Sequence, residues 1–416
     1  MIRLLAACLA VASCASLAQA QTNIPTASPV LTLAQAIALA STVSPSLQAA
    51  EAGQRAAAAA RTVAGLRPNP TIVAETENVG GSGAYRRFDS AETTVGLALP
   101  LELGGKRTAR LGVANARRTS ARLSAAVAEN DLTLRVTRAY LEAASTERRL
   151  TTAREQVAIA EKVLRAAKVR VAAGRASPIE QQRADVLRIN AATAADRAKR
   201  LLDVARDNLA RLIGQPIAGL DTAWFTSVAG YGPPRPIVVE NTLALATATA
   251  DVTTASAQVA LARSQRIPDV TLTASARRLA ATNDTAAVFG VSIPFPLFSN
   301  GTAAIVQARA ERDQVDAQRR LVRQNTEADI ADAQAEVANA ADTARTAMGP
   351  ALAAATETAR IARIGYREGK FGQLDLLDAE RTLSETRVAV IDALTAFHDA
   401  GARLSRLTAD VTTLKD

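Results

Sequence analysis

Residues 91–101 read Ala-Glu-Thr-Thr-Val-Gly-Leu-Ala-Leu-Pro-Leu. Val95, Leu97, Leu99 and Leu101 fall on one side of an extended chain, and Thr94, Gly96 and Ala98 on the other. Successive side chains of a strand point to opposite faces, so this period of two predicts a strand with one apolar face. Residues 289–295 repeat the scheme, with Phe289, Val291, Ile293 and Phe295 against Gly290, Ser292 and Pro294. Each has an upstream partner. One is residues 71–79, with Ile72 and Ala74 opposite Glu75 and Glu77; the other is residues 269–279, with Val270 and Leu272 opposite Thr271 and Thr273. Gly80-Gly81-Ser82-Gly83 and Asn283-Asp284 supply the connecting loops, so two β-hairpins are expected.

Outward from these strands the chain is helical. No proline lies between Pro100 and Pro178, between Pro178 and Pro216, between Pro296 and Pro350, or after Pro350. A proline inside a helix costs about 3 kcal/mol, so the Ala-, Leu-, Arg- and Glu-rich stretches between these landmarks read as helices. Residues 106–173 hold a single glycine, Gly112. As one helix they would reach ~100 Å, a length that needs a packed partner throughout. Leu132, Val136, Leu150, Val157, Leu164 and Val171 supply a broken apolar stripe at roughly heptad spacing. Gly174-Arg175-Ala176-Ser177-Pro178 then stops the helix, and Pro178 suits the first turn of a return helix over residues 179–212. Pro350 marks either a kink or a break in the second long helix.

Composition narrows function. Of 416 residues 48% are hydrophobic but only 3% aromatic, which favours closely packed Ala-rich helices over a thick globular core. The excess of 49 Lys and Arg over 40 Asp and Glu contains no basic block, and the rings needed to stack bases are few, so nucleic acid is not an expected partner. Cys8 and Cys14 both precede residue 20, and His398 is the one histidine. A Cys/His zinc site is thereby excluded downstream, and catalytic sets that need histidine rest on His398 alone, read here as a helix-surface or interface residue. An enzyme is not expected, nor a cofactor.

Arg3, an apolar run over residues 4–17 and Ala18-Gln19-Ala20 form a secretory signal with cleavage after Ala20. Val11-Ala12-Ser13-Cys14 offers a second reading, a lipoprotein signal with Cys14 lipidated. Either exports the chain. No stretch of ~18 apolar residues provides a membrane-crossing helix.

The halves match at a nearly constant offset. Residues 96–100 align with 290–294, Gly174 with Gly369, and Ala184 with Ala379. The expected layout is a signal at 1–20, a first repeat at 21–235 and a second at 236–416. The first holds strands near 71–79 and 91–101 and a helical tip near 174–178; the second holds strands near 269–279 and 287–297 and a tip near 369–374. Four strands with one apolar face cannot close by themselves, yet in a bilayer every strand edge must pair. Three copies would give twelve strands with helical hairpins continuing below as a tube.

Several strings carry a family resemblance: Leu66-Arg67-Pro68-Asn69-Pro70, residues 99–107 (Leu-Pro-Leu-Glu-Leu-Gly-Gly-Lys-Arg), Arg266-Ile267-Pro268-Asp269 and Ile293-Pro294-Phe295-Pro296-Leu297-Phe298. They resemble the TolC family of trimeric outer-membrane efflux channels over essentially the whole exported chain. The Leu-Glu-Leu-Gly-Gly-Lys-Arg string is most similar to the branch serving cobalt-zinc-cadmium efflux pumps of the resistance-nodulation-division type. The resemblance implies a mainly α fold with a small membrane β part, a homotrimer in outer-membrane lipid extending into the periplasm, a periplasmic adaptor at the tips and an inner-membrane pump.

It also implies roles for residues. Asp375 and Asp378 match the acidic ring of the pore constriction; the alternative is a pair of helix-start carboxylates favoured by the helix dipole. Tyr366 and Glu180 match partners in a tip latch. The family's tip-loop arginine falls on Phe371 here, leaving Arg367 or Lys370 as substitutes. Gly174 and Gly369, with Arg175 and Lys370 beside them, match adaptor-contact turns. Rival readings are a periplasmic coiled-coil adaptor, which leaves the matched hairpins unexplained, and a channel for small organic molecules or secreted proteins.

Overall fold

The computed structural model describes residues 30–229 and 237–411. The signal segment and Cys14 lie outside the described residues. Helix α1 (Leu33–Val43) opens on a capping box in which Thr32 and Gln35 exchange side-chain-to-backbone bonds, and Pro45 starts α2 (Pro45–Ala64). Strands β1 (Thr71–Glu77) and β2 (Glu92–Leu101) lead into α3 (Lys106–Ala172), a helix of 67 residues, and α4 (Pro178–Ile213) returns beside it. The second half follows the same order. It comprises α5 (Leu243–Gln265), β3 (Val270–Leu279), β4 (Thr285–Ser292), α6 (Thr302–Thr346), α7 (Leu352–Arg367) and α8 (Gln373–Leu407).

The two hairpins are not separate. They join into one antiparallel sheet of order β1-β2-β3-β4, with Gly96 opposite Ser275 at the seam between halves. Strand β4 lies upstream of the expected 287–297. It starts at Thr285 and stops at Ser292, opposite Thr271, one residue short of the start of β3 at Val270, and Pro294 and Pro296 have no N–H to carry the pairing further. Pro350 neither breaks nor stops its helix. One π-helical turn, Ala347–Ala351, absorbs the missing donor between α6 and α7, so the rod continues.

Small side chains let these rods approach closely. One cluster joins α1, α3 and α4 through Ala36, Ala40, Val136, Tyr140, Ala205 and Leu209. A second joins α3, α6 and α8 through Leu141, Ala144, Val337, Ala344, Leu394 and Phe397. A third lies at the far end and merges both hairpin tips: Leu164 and Ala167 of α3, Ala184 of α4, Ala359 and Tyr366 of α7, and Leu376 and Leu383 of α8. Of the predicted α3 stripe, Leu132, Val136, Leu150 and Leu164 are buried, while Val157 and Val171 are partly so. Between the helices the charges are not merely solvated. Arg149 pairs with Asp392 at 2.7 Å, Arg387 with Glu155 at 2.8 Å and Arg138 with Asp399 at 2.6 Å, stitching α3 to α8 along their length.

Of the two readings of His398, helix surface or interface, the structure shows the second. It is 3% exposed, with Nε2 2.9 Å from the Phe225 carbonyl oxygen and its ring 4.6 Å from that of Trp224. Burial pulls its pKa below the usual histidine value, the Phe225 contact opposing in part. Tyr140, Trp224, Phe225, Phe397 and His398 gather at one level, so the scarce rings build a single waist between α3 and α8. Tyr140 Oη reaches both Leu31 O (2.7 Å) and Asp221 O (2.8 Å), tying the segment before α1 to the α4–α5 connection.

Candidate functional site

Two regions can carry function: the sheet at one end of the rods and the tips at the other. In the sheet, cross-strand register sorts the faces. Ile72, Leu97, Ala274 and Phe289 form one row, and Leu99, Leu272 and Val291 the next. This apolar face is the exposed one: Ile72 is 78% accessible, Leu97 55% and Phe289 80%. A water-soluble domain would bury it; a bilayer accepts it. The opposite face carries Glu77, Glu92, Thr94 and Arg277. Arg277 binds Glu92 at 2.8 Å, Glu77 at 3.2 Å and Thr94 Oγ1 at 3.0 Å. An inverted sheet, polar within and apolar without, is the pattern of a membrane barrel wall. Among the described residues no helix is long and apolar enough to cross a membrane.

On the polar face neighbouring strands approach closely at two glycines. A Cβ on Gly96 would stand 2.3 Å from Ser275 Cβ, and one on Gly290 2.5 Å from Thr273 Oγ1. These glycines occupy matching places in the two halves and let neighbouring strands stand close together on the polar face.

Below the sheet the strings 99–107 and 266–269 meet. Gly104 and Gly105 adopt positive φ, turning β2 into α3, and a Cβ on Gly104 would strike Ile267. Lys106 Nζ reaches Asp269 at 2.6 Å, and the Leu103 N–H donates to the same carboxylate at 3.2 Å. Burial pushes the Asp269 carboxyl up, but Lys106 and that N–H more than reverse it, leaving it below the usual range. Glu102 grips Arg110, whose hydrogen bond lowers the Glu102 pKa. Arg110 also donates to Leu66 O at 3.1 Å, and Arg107 to Gly65 O at 2.6 Å. The motif is therefore the joint that fixes strand to rod.

At the tips both hairpins turn alike. Gly174 (φ 69°) and Gly369 (φ 74°) end α3 and α7 in paired backbone bonds: Arg175 N to Arg170 O and Gly174 N to Val171 O in one, Lys370 N to Gly365 O and Gly369 N to Tyr366 O in the other. In the second turn Phe371 folds back onto Gly365, where a Cβ would lie 2.1 Å from the ring. Ser177 and Pro178 open α4, with Ser177 Oγ accepting the Ile179 N–H at 3.3 Å.

One residue from each of the four tip helices meets behind these turns: Arg170 of α3, Glu180 of α4, Tyr366 of α7 and Gln373 of α8. The Arg170 guanidinium lies over the Tyr366 ring at 4.7 Å and donates to Tyr366 O at 3.3 Å. Arg170 Nε stands 3.9 Å from Glu180 Oε2, and Gln373 Nε2 donates to Glu180 O at 2.7 Å. Burial pushes the Tyr366 hydroxyl up; Arg170 opposes this and Glu180 adds to it, so the group stays a neutral phenol. Further along α7 and α8, Arg363 clasps the buried Glu380 with two nitrogens, Nη2 donating at 2.7 Å.

With this geometry in view, comparison with known proteins is decisive. The family model described as outer membrane efflux protein matches residues 36–215 and 237–410. The chain belongs to the outer membrane efflux protein family. It is 30% identical over 348 residues to the cobalt-zinc-cadmium resistance protein CzcC of Cupriavidus metallidurans, covering 82% of this chain and 81% of that one. It is also 30% identical over 286 residues to the nickel and cobalt resistance protein CnrC of the same organism, covering 67% and 68%. Among solved structures it shares the fold of CusC (TM-score 0.76, 18% identity, 91% and 92% covered) and of VceC from Vibrio cholerae (0.74, 21%, 91% and 96%). As an outer membrane efflux protein it is a transport channel, seated in the outer membrane and extending into the periplasm.

Within this efflux protein the structure brings some predicted residues together and leaves others apart. Tyr366 and Glu180 meet, as described. Arg367 and Lys370 are exposed on the turn and outside the knot; the cation that faces Tyr366 is Arg170, which sequence reading missed. Gly174, Arg175 and Gly369 lie exposed at the extreme ends of the rods. Asp375 and Asp378 sit one turn apart on the exposed face of α8, and Asp375 Oδ2 accepts the Gly372 N–H at 2.9 Å. The helix-start role therefore holds for Asp375, and it leaves the second carboxylate oxygen on the surface. Among the described residues no group of three His, Cys, Asp or Glu could hold a metal ion.

Proposed function

We propose that three copies of this efflux protein close a twelve-stranded barrel above an α-helical tube. The trimer is a passive conduit of a tripartite system that exports heavy-metal cations. The supporting observation is the inverted sheet, whose exposed apolar face runs between two unpaired edges on β1 and β4. An even number of alternating strands leaves β4 antiparallel to the next copy's β1, so a fully antiparallel ring forms without a parallel seam. The two halves, 21–235 and 236–416, then act as pseudo-equivalent staves, each contributing one hairpin of strands and one of helices.

Cations are the favoured cargo because the relatives matched over most of their length are named for cobalt, zinc, cadmium and nickel resistance. An inner-membrane pump of the resistance-nodulation-division type supplies the energy. A periplasmic adaptor docks at the exposed turns around Gly174 and Arg175 and around Gly369 and Lys370. Deleting the chain from its host and measuring tolerance to zinc, cobalt and cadmium beside dyes and detergents tests the cargo. Loss of metal tolerance is expected; unchanged metal tolerance with lost dye tolerance would shift the cargo to organic molecules.

Asp375 and Asp378 of three chains would form a ring of carboxylates at the narrow end, favouring cations over anions. Asp375→Asn with Asp378→Asn is expected to lower the cation-to-anion permeability ratio in single-channel recordings. Because the amide oxygen at position 375 still accepts the Gly372 N–H, helix α8 should keep its start. An unaltered ratio would remove these residues from the constriction.

A further inference from the structure

We propose that the outward rim of the sheet binds a phosphorylated lipid headgroup of the outer leaflet, with Arg278 as its central contact and Arg86 and Arg87 beside it. The inference rests on the channel reading above and deepens it by naming a lipid that the barrel selects. Register places Arg278. Along β3 the positions on the apolar face are Leu272, Ala274, Ala276 and then Arg278. The row through Ala276 is Ala74, Val95, Ala276 and Ala287, and the next is Thr76, Thr93, Arg278 and Thr285. The apolar face thus ends in three hydroxyls and one guanidinium, all exposed. From Val270 to Arg278 the strand rises ~27 Å, or ~20 Å of depth at a ~40° tilt, which brings Arg278 to the edge of the apolar band of a barrel. Strand β2 runs from this rim down into α3, and the rods extend into the periplasm, so the rim faces outward.

Two loops crown this rim. Ala280 N donates to Ala91 O at 2.8 Å, joining the β3–β4 turn to the end of the β1–β2 loop. That loop carries Tyr85-Arg86-Arg87-Phe88, all four exposed, with Tyr85 51% and Phe88 68% accessible. Rings at headgroup depth with cations between them suit a boundary where acyl chains meet phosphate. Charge separates the two faces of the rim. Arg277, on the polar face, is neutralised by Glu77 and Glu92. Arg278 lies on the other face and donates to the neutral Asn283 Oδ1 at 2.6 Å. Among the described residues neither it nor Arg86 or Arg87 makes an ion pair, and the acidic residues of the two loops are Asp89 and Asp284 alone. A guanidinium with N–H groups to spare takes two phosphate oxygens at once. A neighbouring copy does not compete for this face, because β2 and β3 are the inner strands of the four.

The test is titration of the detergent-solubilised full-length trimer with lipid A, read by native mass spectrometry. The probes are the diphosphorylated lipid, the same lipid stripped of phosphate, and inorganic phosphate. The parent is expected to bind the phosphorylated lipid more tightly than the stripped one, and Arg278→Gln to weaken that binding about tenfold, the change that one charge-assisted hydrogen bond carries. Arg278→Lys, which keeps the charge and loses the planar fork, should fall between. Arg86→Gln with Arg87→Gln should weaken binding as well, whereas Arg154→Gln, which removes an exposed cation midway down α3, should match the parent. Excess inorganic phosphate should not displace the lipid, because it lacks the acyl chains that the apolar face holds. Should Arg278→Gln fail to assemble, Arg278→Lys and the Arg86, Arg87 pair give the same reading with trimers intact. Equal affinity for the two lipids, parental affinity in every rim variant, or displacement by inorganic phosphate overturns the proposal. Single-channel conductance of the same trimers separates this from the channel reading: it stays parental if the rim only holds lipid, and a parent chain that conducts nothing sinks the channel reading itself.

Discussion

Gly96→Val should abolish assembly in the outer membrane. The first atom of any side chain at position 96 would lie 2.3 Å from Ser275 Cβ, 2.5 Å from Ala274 O and 2.6 Å from Ser275 Cα. All three obstacles are backbone or directly attached to it, so no rotamer change relieves them. Overpacking in a core usually costs 1–3 kcal/mol, and about 3 kcal/mol or more is expected here because the seam between β2 and β3 must itself part. That seam joins the two halves, so its loss leaves two hairpins that are each marginal alone. Immunodetection of heat-modifiable trimer in outer-membrane fractions reads the result. Normal trimer yield from Gly96→Val would mean that β2 and β3 stand farther apart at this seam than described. Gly290→Val, facing a side-chain oxygen at 2.5 Å, should be milder because Thr273 can rotate away.

Leu97→Arg should come second in severity. Leu97 lies in the middle row of the exposed apolar face, flanked by Ile72 and Ala274. If that face meets hydrocarbon, a guanidinium near the bilayer midplane costs about 2–4 kcal/mol per chain, and threefold symmetry repeats the cost. Thr271→Arg, half-buried on the opposite, polar face of β3, should assemble with a smaller loss, because its guanidinium meets polar neighbours rather than hydrocarbon. Urea titration of the two variants in lipid vesicles compares them. Equal stabilities would mean that the apolar face does not meet lipid.

Much of this was legible in the chain. Period-two alternation in residues 91–101 announces β2 because it continues unbroken across a strand's length, and the absence of proline after Pro100 announces α3. The tips are legible because Gly174 and Gly369 do what few other residues do at low cost, which is to close a helix at positive φ. Helix and strand periods are local, and local signals survive without knowledge of the fold.

What was not legible is what depends on distant partners. The alternation of β4 continues chemically through Ile293 and Phe295, yet pairing ends at Ser292, one residue short of the start of its partner β3. The seam between Gly96 and Ser275 has no local sign. His398 looks like any polar residue on a long helix until Trp224 and Phe225, from the α4–α5 connection, fold over it. The same holds at the tip. Tyr366 and Glu180 could be singled out by resemblance, and a missing arginine in the tip loop was visible, but the cation that stands there arrives from α3. Arg170 is one of many arginines along that helix, and only the crossing of α3 with the end of α7 distinguishes it.

The central claim is that one chain holds a third of a barrel, and the state of the intact protein in a membrane tests it most directly. Extracted in mild detergent and imaged by single-particle electron microscopy, the protein should show three copies around one axis. The free edge of β4 should lie hydrogen-bonded to β1 of its neighbour, and the row containing Leu97 and Phe289 should sit in the detergent belt. A monodisperse monomer that stays in aqueous buffer without detergent, its apolar sheet face covered from within the same chain, would contradict it.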